Sequence, residues 1–351
     1  MSTATAGRAL GGYGPVSDPT RERVLAAAER LGYRANSLAR SMITGTTSTL
    51  GVVIADIENP FFARATRGII DVARGEGFEV VVANTDEDVA LERAAVKVLL
   101  EKRVDGIIVA PASLYETVHL AAIRATGTHL VLLDRELPGV EADAVAIDNR
   151  AAARDAVRRL VEAGHTRIAM VAGALPAQGG GEEAVVATAT VVGRIEGYRA
   201  ALGAAGVDPD PRYLRVGSFR REGARAQTRR LLGLRPRPTA IFVTDSLDAL
   251  GVLEEVQAQG LAVPGQVSVV GFDDADWMTV VRPAISVVAQ PINEMGALAA
   301  RRLVARIRGD TSAPRPYRLP TVFIARDSVG RPPARAGGVR RGSADRSPIS
   351  R

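Results

Sequence analysis

Residues 48–83 read STLGVVIADIENPFFARATRGIIDVARGEGFEVVVA, and the periodicity changes twice within them. Residues 50–54 are a short apolar run rich in β-branched side chains, the composition of a buried strand. From Phe61 to Arg74 the apolar residues return at helical spacing. Residues 78–83 read as a strand again. Strand, helix and strand in so short a span make a βαβ unit, with parallel strands and a right-handed crossover.

The alternation continues outward from this unit. Strands are expected at 106–110, 129–133, 168–171, 240–243 and 267–271, with helices at 90–101, 116–125, 151–163, 193–205, 222–232 and 247–259. The strands are apolar on both faces, as a sheet covered on both sides requires. There are too many units for one compact sheet, and 144–149 reads as a crossing between two. The expected fold class is α/β: a body of two similar lobes with parallel, doubly wound sheets facing a cleft, behind a small all-α head. The expected divisions are 1–47 for the head and hinge, 48–331 for the body with lobe crossings near 148, 278 and 310, and 332–351 for a disordered basic tail.

Composition narrows the function. The 351 residues are 46% hydrophobic and 24% charged, typical of a globular chain of two or three domains. There is no cysteine, so thiol chemistry and thiolate metal sites are excluded. The three histidines, His119, His129 and His165, are scattered along the chain. No run approaches the roughly 18 apolar residues of a membrane span, and no apolar signal-peptide core opens the chain. A cytoplasmic protein without membrane partner, metal or cofactor is expected. Gly179-Gly180-Gly181 is not a phosphate loop, because no Lys-Ser/Thr follows it.

The net charge of +6 is concentrated at the ends. Residues 1–47 carry six Arg against three Asp and Glu, residues 332–351 five Arg against one Asp, and the body is close to neutral. A basic head on a neutral body points to nucleic acid as partner. The head reads as helices: 3–10, then about 18–31 with Ser17 or Asp18 as cap and Pro19 in the first turn, then 37–42 after Asn36.

The head sequence STATAGRAL at 2–10, GPVS at 14–17, TRERVLAAAERLGYR at 20–34 and NSLARSM at 36–42 resembles the lactose-repressor (LacI/GalR) family of bacterial transcription regulators. The similarity continues through Asn59-Pro60-Phe61-Phe62, Arg103-Val104-Asp105-Gly106, Gly164-His165, Gly193-Arg194-Ile195-Glu196-Gly197-Tyr198 and Gly271-Phe272-Asp273-Asp274. It covers nearly the whole chain except the tail.

The resemblance implies a repressor working as a homodimer on operator DNA, with a sugar-like effector between two periplasmic-binding-protein-like lobes. In the head it makes 3–10 the recognition helix of a helix-turn-helix. Thr3, Ala4 and Arg8 would then reach base edges, and Ser2 and Thr5 phosphates. Residues 37–42 would be the hinge helix, with Leu38 and Met42 in the minor groove. The chain departs from the family pattern at Gly7, at Gly11, and at Met1, which stands where the turn after the first helix is expected. An internal start codon or a truncation is inferred.

In the body the resemblance implies effector contacts from Asp148, Arg194, Phe219 and Asp273. Phe61 and Phe62 could stack on a flat ligand face. Asp134, Arg135, Thr244 and Asp245 follow strand ends, where α/β sheets bind ligands. For Asp148 a helix-capping role competes on equal terms. The segment 174–190 is longer than the family pattern and is read as a loop bordering the cleft. Two rival functions share these features. A solute-binding protein would have the same body but no use for residues 2–42. A paired-carboxylate hydrolase would need Asp148 and Asp273 to converge.

Overall fold

The computed structural model describes residues 2–11, 14–32, 46–173, 175–176, 185–186, 188–217 and 220–333. Two sheets of six strands organise the body. The first contains β1 (Thr49–Ile54), β2 (Glu79–Asn84), β3 (Gly106–Val109), β4 (His129–Leu133), β5 (Asp143–Ile147) and β13 (Pro316–Leu319), in the order β2-β1-β3-β4-β5-β13. The second contains β6 (Ile168–Gly173), β9 (Leu214–Gly217), β10 (Ala240–Val243), β11 (Ser268–Phe272), β12 (Ser286–Ala289) and β14 (Val322–Ile324), in the order β9-β6-β10-β11-β12-β14. Every pairing in both is parallel except β12 with β14. The two sheets share one strand order, and differ only in the direction of the last strand, parallel in the first sheet and antiparallel in the second.

Each helix expected from residues 61 to 259 is present. The helix expected from Gly193 begins earlier, at Ala189, so Arg194 lies in its second turn rather than at its start. The segment 174–190 is not wholly a loop, since β7 (Leu175–Pro176) and β8 (Val185–Val186) pair antiparallel before that helix.

Asp143–Ile147 is a fully buried strand of the first sheet, so of the segment 144–149 only the end crosses, in keeping with the crossing expected near 148. The crossings expected near 278 and 310 move. Residues Trp277–Val280 form one short helix whose Met278 is buried in the second lobe. The chain returns between Ala289 and the helix Ile292–Ile307, because that helix covers the first sheet. It crosses a last time between β13 and β14.

Tight helix pairs back each sheet. Pro60–Gly75 packs against Ile292–Ile307, and Asn149–Glu162 against Ala189–Ala204. A Cβ on Gly296 would fall 1.9 Å from the Ala65 carbonyl oxygen, and one on Gly197 2.3 Å from that of Arg150. Only glycine permits such a backbone approach. The central strands are buried, while the edge strands β2, β9, β13 and β14 are not, and β2 leaves Val81 and Val82 exposed; at these edges the expectation of two covered faces fails.

In the head, Thr3–Gly11 and Asp18–Arg30 pack together through Ala9 and Val24. Ser2 Oγ accepts the Thr5 amide at 3.1 Å and so caps the first helix. Ser17 occupies the cap position of the second, but its hydroxyl donates to Thr20 Oγ1 instead of capping. Leu25 and Leu31 are exposed. Met1, the hinge residues Leu38 and Met42, and the tail from 334 lie outside the described residues.

Candidate functional site

The C-terminal strand ends of both sheets converge. Asn59 and Asp245 stand at the N-termini of helices in opposite lobes. Asn59 Oδ1 accepts the Phe61 amide at 2.9 Å, and its Nδ2 donates to Asp245 Oδ2, also at 2.9 Å. Asp245 Oδ1 accepts the Leu247 and Asp248 amides. Each side chain therefore caps its own helix while holding the other across the cleft. Arg64 adds a second bridge, donating to the Asp274 carbonyl at 2.7 Å and pairing with Asp276.

Arg194 lies at the centre and is buried. Its Nε donates to Asn149 Oδ1 at 2.8 Å, its Nη1 to the Thr244 carbonyl at 2.5 Å, and its guanidinium stacks 3.8 Å from the Phe272 ring centre. Burial lowers its pKa, opposed by Asp273, Asp134 and Asp245. Those three carboxylates come from β4, β10 and β11, and so from both lobes.

Asp134 and Asp273 both sit at positive φ, 68° and 64°, immediately after their strands. Burial pushes the Asp273 carboxyl up to about 7; Asp245 and Asp134 push the same way, while Arg194 and the hydrogen bond from Gln290 oppose it. Burial likewise raises Asp134, against Arg135 and Arg194. The Asp248 carboxyl, three residues further along the helix, is raised well above its ordinary value by burial and by Asp245. Arg135 is buried with its fork engaged by Glu87, at 2.6 and 2.5 Å. Burial disfavours that guanidinium, but the Glu87 carboxylate overrides it and the cation is held.

Of the residues singled out in the sequence, Asp134, Arg135, Arg194, Thr244, Asp245 and Asp273 come together here. Asp148 does not join them. It is exposed and accepts the Ala151 amide at 2.8 Å as a helix cap, while its neighbour Asn149 reaches Arg194. A hydrolytic pairing with Asp273 gains no support from that placement. Phe61 and Phe62 pack edge to face at 5.0 Å within the first lobe's core, 5% and 4% exposed, so little of either ring is left for a ligand. Phe219 lies outside the described residues.

Sequence reasoning missed Glu87, Gln290 and Asn149. Asn59 was visible only as part of a motif. The histidines stand apart: His165 is buried against Thr239, Ser268 and the Gly330 carbonyl, and His119 meets Glu92.

Comparison with known proteins gives a consistent picture. A model of the periplasmic binding protein-like domain matches residues 157–329. Catabolite control protein A of Priestia megaterium is 34% identical over 311 residues, 89% of this chain and 90% of that protein. The HTH-type transcriptional repressor CytR of Escherichia coli (strain K12) is 33% identical over 309 residues, 88% of this chain and 87% of that one. Among solved structures, a transcriptional regulator CelR–cellobiose complex superposes with a TM-score of 0.71 at 30% identity, covering 93% of this chain and 97% of the other.

Proposed function

The chain belongs to the LacI/GalR family of transcription regulators, and on that footing we propose that its cleft binds a sugar or sugar derivative and thereby alters affinity for operator DNA. It is a ligand-responsive regulator, and its relatives are repressors rather than enzymes. The observation that carries the effector reading is the convergence of Asp134, Asp245 and Asp273 on Arg194 from two lobes. Ionised groups of both signs in a buried cleft suit hydroxyls, which donate and accept at once. The relative solved with cellobiose supports the same reading.

The contacts that already cross the cleft suggest how binding is transmitted. A ligand bridging the lobes favours their closed arrangement by its differential affinity for it. If closure changes operator affinity, operator changes ligand affinity by the same factor. Ser2, Thr3, Ala4 and Arg8 are exposed on the first head helix and, with Thr5, are the proposed DNA contacts. Leu38 and Met42 are proposed as hinge contacts.

A homodimer is supported by one apolar flank: Val81 and Val82 on β2, with Leu91 and Val98 on the helix Val89–Glu101, all exposed. Among the described residues no helix is long and apolar enough to cross a membrane, and a cytoplasmic location is proposed. A solute-binding role without DNA is disfavoured by the head helices and by relatives that are repressors along most of this chain.

The test is selection of operator sites from genomic DNA, followed by titration of the bound complex with sugars. Release or tightening by a sugar supports the proposal; a selected site unaffected by any sugar, with none bound by calorimetry, overturns it.

A further inference from the structure

Among the described residues the cleft is short of hydrogen-bond donors and of positive charge. Arg135 spends its two terminal nitrogens on Glu87 and the Pro111 carbonyl. Among the described residues the Asp134 carboxylate, 6% exposed, is met only by Arg135 Nε at 3.5 Å, beyond a good hydrogen bond. Among the described residues Arg194 is the guanidinium that faces Asp134, Asp245 and Asp273 together, and its hydrogen bonds go to Asn149 and Thr244 rather than to any carboxylate. Buried carboxylates in excess of cations are unfavourable unless something neutralises them.

A second observation is independent of the acids. Gln290 Nε2 donates to Asp273 Oδ1 at 2.7 Å, and this fixes the amide with its oxygen as the other branch. That oxygen, Oε1, is buried and has no donor among the described residues. Among the described residues Asp273 Oδ2 receives no hydrogen bond, and the one that Asp273 accepts goes to Oδ1. The linked pair at the end of β11 therefore leaves one acceptor open on the amide and one on the carboxylate. Buried acceptors are nearly always paired in a finished site. A hydroxyl brings one proton and no charge, whereas an ammonium brings three protons and the missing positive charge.

We propose that the effector is a polyhydroxylated compound carrying a protonated amine, with the ammonium at Asp273 and Gln290 and hydroxyls at Asp134 and Arg194. This rests on the cleft being the effector site. It deepens the sugar reading by fixing the charge of the ligand: amino sugars or amino alditols are taken, and sugar phosphates are refused because they add anion to anion.

The experiment is calorimetric titration of the full chain with matched sets of probes: aldopentoses and aldohexoses, their amino-deoxy counterparts, the N-acetyl forms of those, and the sugar phosphates. N-acetylation keeps the frame and removes the charge. At least one amino compound should bind ten-fold or more tightly than its neutral parent and lose that advantage on acetylation. Asp273→Asn should bring the amine and its parent within about three-fold of each other, while the parent's own affinity moves little. Gln290→Leu should weaken the amine more than the parent. A neutral parent binding as well as its amine, or any phosphate binding more tightly, overturns the charge assignment and leaves the sugar cleft standing. Absence of binding by every probe overturns both.

Discussion

The two lobes finish their equivalent strands β4 and β11 alike and then diverge. After each comes an aspartate at positive φ, Asp134 and Asp273. The amide of each donates to the neighbouring strand, Asp134 to the Val145 carbonyl at 2.8 Å and Asp273 to that of Val288 at 2.9 Å. The next residue reverses sign. Arg135 is gripped by Glu87 inside the first lobe, whereas Asp274 is gripped by Arg326, both contacts 2.7 Å, in a wetter setting. The repeated topology places one carboxylate from each side; the partners of the following residue decide what charge remains near it. Position is a property of the fold, and electrostatics a property of a few neighbours.

The largest expected effect breaks the clamps one at a time. Arg135→Ala strands Glu87, which is 9% exposed, and should cost about 3–5 kcal/mol, the usual penalty for half of a buried pair. Arg326→Ala, with side chains of 16% and 27% exposure, should cost only about 1–2 kcal/mol. Denaturant unfolding of both variants measures the difference. Equal losses would show that the two clamps are energetically alike and the contrast merely geometric.

The helix pairs probe the lobes' equivalence instead. Gly296→Ala and Gly197→Ala each push a methyl into a backbone carbonyl that cannot swing aside. Each should cost about 3 kcal/mol, the upper end for overpacking. A large loss in one lobe and a negligible one in the other would refute the matched packing.

The smallest effect concerns Asp273, whose folded pKa of about 7 lies above its ordinary 3.8. Between these values the folded state holds a proton that the unfolded state has lost. The contribution of this group is therefore fully present below about pH 4 and disappears as pH rises through 7. Asp273→Asn should flatten that decline and leave the variant more stable than wild type at pH 8. Melting temperatures from pH 4 to 8 check it; parallel curves for the two proteins would remove Asp273 as the source.

What was legible in the sequence follows the same division. Central strands such as β1 and β10 are continuous apolar runs and announce themselves. β13 and β14 are half-exposed strands of four and three residues without such a run, and they were missed. β5 overlaps the segment 144–149 read as a crossing; the carboxylate of Asp143 at its start is buried against Arg302 and Arg306. Strand ends marked Asp134, Arg135, Thr244, Asp245 and Asp273 correctly as neighbours. Their partners were invisible, because Glu87 lies 48 residues from Arg135 and Asn59 lies 186 from Asp245, and no local pattern encodes such pairings. Of the two readings of Asp148 the structure shows the helix cap, while Asn149 faces inward to Arg194.

The three passages between the sheets have a mechanical consequence. β5 lies beside β13 and β12 beside β14, so all three leave from the same margin of each sheet. Three short cords fastened along one margin resist stretching, shear and twist together and leave a single easy freedom, a swing about the line they define. Opening then has one coordinate, an angle.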